Sequence, residues 1–166
     1  MVVFALCSTL IPVCHSQAQI ANRVLNTKTY TLSKQRSVAT EPKAPRIDPR
    51  LLEAMQIAIQ RARKRSVNRC WRFVKKALVA AEVVDSYPTS RYAKEAAVEL
   101  KAFGFQPINI DDPFEAPVGS ILVYGGKGPG HVEFRTQCGF VSDFLSSTPS
   151  TRPLIGVYVK MLREDS

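Results

Sequence analysis

Two residues that together perform nucleophilic catalysis lie far apart in this sequence. Cys70 stands near the start of the segment 68–78, where apolar residues recur at helical spacing, so its thiol lies in the first turn of a helix. The positive end of the helix dipole and a neighbouring imidazolium would favour the nucleophilic thiolate. His131 opens a short β-type run after a glycine-rich loop and is suited to take and return a proton. The unpaired amide of Cys70 would serve as an oxyanion donor, so the set predicts cysteine hydrolase chemistry.

Two acidic residues are candidates for orienting the histidine. Asp143 lies in the predicted strand that pairs with the His131 strand through a turn at 137–139, so a cross-strand contact is within reach. Glu133 shares the face of His131 by strand alternation, but its side chain would lie along the strand, about 7 Å away. We therefore expect Asp143 to orient His131 and Glu133 to line the cleft.

The elements that must position these residues are helices followed by strands. Asp48 and Pro49 are typical of a helix start, and Gly104 of a left-handed helix end. Helices are predicted at about 49–64, 68–81 and 92–100. Strands are predicted at 108–110, 120–124, 131–136, 139–144 and 154–161. The fold class is therefore α+β, with N-terminal helices packed on a small antiparallel sheet.

The composition of the N-terminal part of the chain is typical of an export signal followed by a leader. Residues 1–18 carry no charge and hold an apolar run too short to span a bilayer, ending in small residues before a cleavage point after Ala18. Residues 19–47 are polar and contain prolines, which predicts a flexible leader before a single domain at 48–166. We expect a secreted or periplasmic monomer with no membrane segment.

The charge balance indicates an anionic partner. Lysine and arginine total 23 against 14 acidic residues, which gives a net charge of +9 and a pI near 9.7. The basic stretch 61–76 would suit nucleic acid, but the chain has no recognisable nucleic-acid fold motif and carries an export signal. An anionic cell-wall polymer as the partner explains the positive charge and is compatible with export. No Cys/His cluster is dense enough for a structural zinc, so we expect no metal or cofactor.

The two cysteines that remain after signal cleavage leave a second interpretation open. In an oxidising compartment Cys70 and Cys138 would form a disulfide if their Cα atoms lie within about 7 Å of each other. Such a bridge removes the nucleophile. The alternative function is then a non-catalytic, disulfide-stapled module that binds the cell wall on the same fold.

Three segments in this order resemble one family. They are the cysteine helix at 68–78, the strand entry Ala-Pro-Val-Gly-Ser that opens 116–124, and the Gly-His-Val-Glu strand at 130–133. Together they are similar to the papain-like cell-wall peptidases of the NlpC and CHAP type. The resemblance covers about residues 68–161 and implies a papain-like fold that hydrolyses amide bonds in the peptide stems of peptidoglycan. By position it makes Cys70 the nucleophile, His131 the base and Asp143 the orienting residue.

The sequence departs from that family beside the cysteine. Arg69 replaces the usual Asp or Asn, and Trp71 and Arg72 replace the usual small residues. The resemblance therefore implies a bulkier and more basic cleft rim, at which we expect Trp71 and Glu133 to contact the substrate. Some secreted amidase effectors of bacterial competition are similar here, which implies an immunity or inhibitor protein as a partner.

Overall fold

The structure is a computed structural model that describes residues 46–162. The predicted signal peptide at 1–18 lies outside the described residues, as does nearly all of the predicted leader at 19–47. The helices are α1 (Pro49–Arg61), α2 (Cys70–Ala80) and α3 (Ala96–Ala102), the last entered through a 3-10 turn at Ala93–Glu95. Within the described range no helix is long and apolar enough to cross a membrane.

Six strands form one antiparallel sheet. They are β1 (Gln106–Ile108), β2 (Ile121–Tyr124), β3 (His131–Thr136), β4 (Gly139–Val141), β5 (Leu145–Ser146) and β6 (Leu154–Val159). Their order across the sheet is β1-β6-β2-β3-β4-β5. Strands β2 and β3 pair directly, and this register sets Tyr124 opposite His131 and Leu122 opposite Glu133. The middle of the sheet thus carries the predicted histidine.

The two faces of the sheet are buried in different ways. The helices pack on one face over a large apolar core that includes Leu51, Val74, Leu78 and Phe134. A smaller cluster on the other face is built around Leu122, Tyr124 and Phe140. Helix α2 packs against β3, which brings the start of the cysteine helix to the strand that holds His131.

The first helix begins as its sequence predicts. Asp48 Oδ1 accepts a hydrogen bond from the amide of Arg50 at 3.0 Å, and Pro49 occupies the first helical position. The same carboxylate pairs with the Arg50 guanidinium at 2.7 Å, which holds the pKa of Asp48 below its usual range. Asp48 itself is almost fully buried. This cap fixes the position at which α1 begins.

The predicted α+β class with an antiparallel sheet is confirmed, and the differences in detail have local causes. The third helix starts as a 3-10 turn because the Glu95 carboxylate accepts from the Tyr92 amide at 2.9 Å, while Gly104 ends α3 at φ +80°. Strand β5 was missed because its two residues are too short for an alternating pattern. The predicted strand 139–144 ends at Val141, since the Ser142 amide bonds to the Phe144 carbonyl at 3.0 Å.

Candidate active site

Cys70 and His131 line the same cleft, which has a volume of about 550 Å³. Cys70 is the first residue of α2 and is half-buried, and its thiol lies near enough to the His131 ring to raise the pKa of that ring. His131 is the first residue of β3 and is also half-buried. A helix start and a strand start thus bring together two residues that lie 61 positions apart in the sequence (131 − 70 = 61). The expected juxtaposition of cysteine and histidine is present.

The His131 ring is held by acceptors strong enough to overcome its burial. Burial alone lowers the pKa of an imidazole, because a low-dielectric environment penalises the charged form. The hydrogen bonds and charges of Cys70 and Glu133 outweigh that effect and raise the pKa of His131 to about 9. The imidazolium is therefore the favoured form at neutral pH, next to the thiol.

Glu133 contacts His131, which differs from the sequence expectation. Its Oε2 lies 3.1 Å from Nε2 of His131. Strand alternation suggested a separation too large for contact, but long side chains in a strand can lean along its direction. Two donors fix the other oxygen: the Tyr124 hydroxyl donates to Oε1 at 2.8 Å and the Ser150 amide at 3.1 Å. The Glu133 carboxylate is thereby turned toward the histidine.

Tyr124 is the part of this arrangement that sequence reasoning missed. It is buried, and burial followed by the nearby Glu133 charge raises the pKa of its hydroxyl, so it remains a donor. The pairing of the two predicted strands could have revealed it, because their register places Tyr124 directly opposite His131. The Ser150 contact had no such signal, since Ser150 lies on a loop whose path depends on the whole sheet.

Asp143 lies at a different place from the one predicted. Its buried carboxylate accepts three hydrogen bonds through Oδ2, all from the loop before α2. The donors are the Val67 amide at 2.7 Å, the Arg69 amide at 3.1 Å and the Ser66 hydroxyl at 3.3 Å. The main chain of Asp143 is also bound, since its carbonyl accepts from the Arg63 amide at 2.8 Å. Asp143 lies beyond the end of β4 and is not paired with β3. Its carboxylate therefore holds the loop at 66–69 before Cys70 and makes no described bond to His131.

The loop that Asp143 holds has an unusual backbone. Asn68 has φ +57°, in the left-handed region where asparagine is one of the few side chains tolerated. Its amide donates to the Ser66 hydroxyl at 3.2 Å, which in turn donates to Asp143. The carboxylate therefore stabilises a tight turn that delivers Cys70 to the helix start.

The first turn of α2 provides unpaired amides beside the thiol. The Phe73 amide bonds to the Arg69 carbonyl at 3.1 Å, which begins the helical pattern. The amides of Cys70, Trp71 and Arg72 precede it and have no acceptor within the helix. The Cys70 amide therefore has no helical partner, as the expected role of oxyanion donor requires.

The two cysteines are not joined to each other. Cys70 is a free thiol, so no disulfide joins it to Cys138. The bridge that would have removed the nucleophile is absent between these two described residues. The disulfide-stapled alternative thus loses the observation on which it depended.

Trp71 borders the cleft but is largely buried. Only 3% of it is exposed, and its indole Nε1 donates to the Ser90 hydroxyl at 2.8 Å. The Lys75 ammonium lies over its ring at 5.2 Å from the centroid and donates to the Ser90 carbonyl. Trp71 therefore forms the back of the cleft wall and braces the segment around Ser90, in place of the exposed rim position that was predicted.

No group of His, Cys, Asp and Glu side chains between residues 46 and 162 is arranged to hold a metal ion. The cysteine, the histidine and the carboxylate of Glu133 form a linear chain of contacts. Covalent acyl-transfer sites use a thiol or hydroxyl, an imidazole and a carboxylate in the same order.

Comparisons with known proteins give a likeness in structure alone. No family model matches this chain, and no curated protein matches it. A chain of the crystal structure of the type VI native effector–immunity complex Tae3–Tai3 from Ralstonia pickettii superposes with a TM-score of 0.54. The two are 23% identical, and the match covers 66% of this chain and 98% of that chain. At this identity the likeness establishes a shared fold.

The selenomethionine form of the same complex matches less well. It has a TM-score of 0.47 at 25% identity, over 56% of this chain and 80% of that chain. The fold shared with the native complex is thus the finding that the comparisons contribute.

Proposed function

We propose that this protein is a secreted, papain-like cysteine hydrolase that cleaves amide bonds in the peptide stems of peptidoglycan. The observation that carries the proposal is the free Cys70 thiol at the start of α2, in the same cleft as a His131 ring whose Nε2 contacts the Glu133 carboxylate at 3.1 Å. The resemblance of the cysteine, Pro-Val-Gly-Ser and Gly-His segments to cell-wall peptidases supplies the substrate class.

The proposed reaction proceeds through a thioester. The Cys70 thiolate attacks the amide carbon, and the resulting oxyanion accepts a hydrogen bond from the Cys70 amide. His131 gives its proton to the departing amine as the carbon–nitrogen bond breaks. It then takes a proton from water, which attacks the thioester, releases the carboxylate product and restores the thiol.

Glu133, and not Asp143, is the proposed orienting partner of the histidine. Its carboxylate is the acceptor at Nε2, at 3.1 Å. An acceptor fixed in this way selects the tautomer and ring orientation needed for proton transfer. Asp143 is proposed to act one step further out, as a positioning residue that holds the loop before Cys70.

A partner and a location follow as parts of the same proposal. The solved protein that shares this fold comes from an effector–immunity complex. Together with the apolar, uncharged residues 1–18, this supports export of the protein and inhibition by a cognate immunity protein. The net charge of +9 suits action on an anionic wall.

The test is chromatography of muropeptides released from purified peptidoglycan by the full-length protein under mild reduction. We expect new peptide fragments whose masses identify the cleaved bond, and none from Cys70→Ala treated in the same way. Peptide mapping after treatment of the folded wild-type protein with labelled iodoacetamide should find the label on Cys70, which shows independently that this thiol is accessible. Peptidoglycan that is bound by both proteins but released as fragments by neither would overturn the hydrolase and favour a binding module.

The pH dependence of turnover provides a separate prediction. His131 carries its proton below about pH 9 and loses it above that value, so kcat/KM should decline on the alkaline side near 9. Glu133→Gln removes the charge that favours the imidazolium, so the same decline should move to lower pH. A pH profile of kcat/KM for both proteins checks this, and an unmoved alkaline limb in Glu133→Gln would contradict it.

A further inference from the structure

The walls of the active-site cleft carry a charge that the proposed chemistry does not use. Among the described residues, four arginines line it and Glu133 is the one acidic residue that does, and Glu133 is occupied by His131, Tyr124 and Ser150. The arginines are Arg69, Arg72, Arg91 and Arg152. The cleft is thus strongly positive around the thiol.

Two of these arginines flank the nucleophile. Arg69 immediately precedes Cys70 and Arg72 follows two residues later, and both are exposed. No carboxylate among residues 46–162 forms an ion pair with either guanidinium. Their planar donor groups are therefore available to a ligand, and carboxylates are the groups that such forks bind in bidentate geometry.

Arg91 is held on the other wall by a braced segment. Ser90, its neighbour, accepts from Trp71 Nε1 at 2.8 Å and donates its hydroxyl to Glu99 at 2.5 Å. The Lys75 ammonium also donates to the Ser90 carbonyl. This network fixes the backbone beside Arg91. The Arg91 guanidinium therefore faces the cleft from a rigid support and not from a free loop.

The positive surface continues beyond the cleft. Arg69 and Arg72 also border a neighbouring groove of about 500 Å³, which Arg61, Arg63 and Lys76 line as well. No acidic residue between positions 46 and 162 lines that groove. A ligand that extends from the thiol toward the end of α1 would therefore meet cations along its whole length.

From this arrangement we infer that the cleft selects peptides bearing free carboxylates next to the scissile amide, with Arg72 and Arg91 as the residues that determine this specificity. The inference rests on the proposed hydrolase function and narrows its substrate to carboxylate-bearing stem peptides. Peptides whose carboxylates are converted to carboxamides would lose the charge-assisted bonds that orient the amide against Cys70.

The experiment compares one stem peptide with free carboxylates and the same peptide with those groups as carboxamides. We expect wild-type kcat/KM to be about tenfold or more higher for the carboxylate form. In Arg72→Gln/Arg91→Gln that ratio should fall toward one, and Arg72→Lys/Arg91→Lys should restore part of it. Arg46→Gln/Lys101→Gln is the matched control, because it removes two exposed cations outside the cleft and should keep the wild-type ratio.

Binding to Cys70→Ala separates this inference from the proposed function. Calorimetric titration with both peptides should show the same preference for the carboxylate form, without any turnover. A preference in binding with no hydrolysis by the wild type would overturn the hydrolase and leave the carboxylate site standing. Equal affinity for the two peptides, or binding of neither, would overturn the inference itself.

Discussion

Replacing Glu133 with alanine should lower kcat/KM by about 10³-fold, the larger part of it in kcat. The carboxylate is the acceptor that fixes Nε2 of His131 at 3.1 Å. Without it the ring can rotate and adopt the wrong tautomer, so fewer molecules present a base to the thiol and an acid to the leaving amine. Steady-state kinetics on the peptide identified by the muropeptide assay measures the loss.

Two matched variants separate the orienting role from packing. Glu133→Gln keeps the shape and one acceptor oxygen, so it should retain more activity than Glu133→Ala. Tyr124→Phe removes the hydroxyl that donates to Oε1 at 2.8 Å but leaves the contact with His131, so its loss should be about tenfold. A Glu133→Ala protein that folds normally and keeps kcat/KM within a few fold of wild type would remove Glu133 from the mechanism.

The cysteine helix and the histidine strand could be predicted from the sequence because each depends on local pattern. The apolar spacing after Cys70 gives α2, and the alternation after the glycine loop gives β3. Their meeting follows from the element order, since α2 packs against the central strand. The sequence could not show whether Cys70 is a free thiol, because a disulfide depends on the distance between two cysteines and sequence spacing does not give that distance.

The two carboxylates show where sequence reasoning stops. Glu133 reaches His131 because Tyr124 and Ser150 turn its side chain, and Ser150 comes from a loop whose path no local pattern predicts. Asp143 leaves the sheet because a turn bond between Ser142 and Phe144 ends β4 early. Because β4 ends a few residues earlier than predicted, Asp143 does not reach the histidine. Glu133, which was expected to line the cleft, contacts His131 in its place.

Replacing Asp143 with alanine should destabilise the fold by about 3 kcal/mol and lower Tm by about 10 °C. The carboxylate is fully buried and accepts from the Val67 and Arg69 amides and the Ser66 hydroxyl. Its removal leaves these donors without their charged acceptor, although the exposed loop lets water replace part of the bonding. Thermal unfolding followed by circular dichroism measures the shift.

The conservative variant Asp143→Asn distinguishes a positioning role from stability alone. The amide oxygen can take the place of Oδ2 and accept the same three bonds, so most of the protein should remain folded at 25 °C. These bonds are weaker to a neutral amide than to a charged carboxylate, so the Ser66–Arg69 loop should be held less firmly. Because that loop delivers Cys70 to the helix start, we expect slower alkylation of the thiol by iodoacetamide and a fall in kcat with little change in KM. A lowered Tm together with wild-type alkylation and kcat in the folded protein would show that Asp143 supports the fold only.

The pH profile of kcat/KM separates the role of Asp143 from that of Glu133. The alkaline limb near 9 should stay in place in Asp143→Asn, because the Glu133 charge that favours the His131 imidazolium is intact.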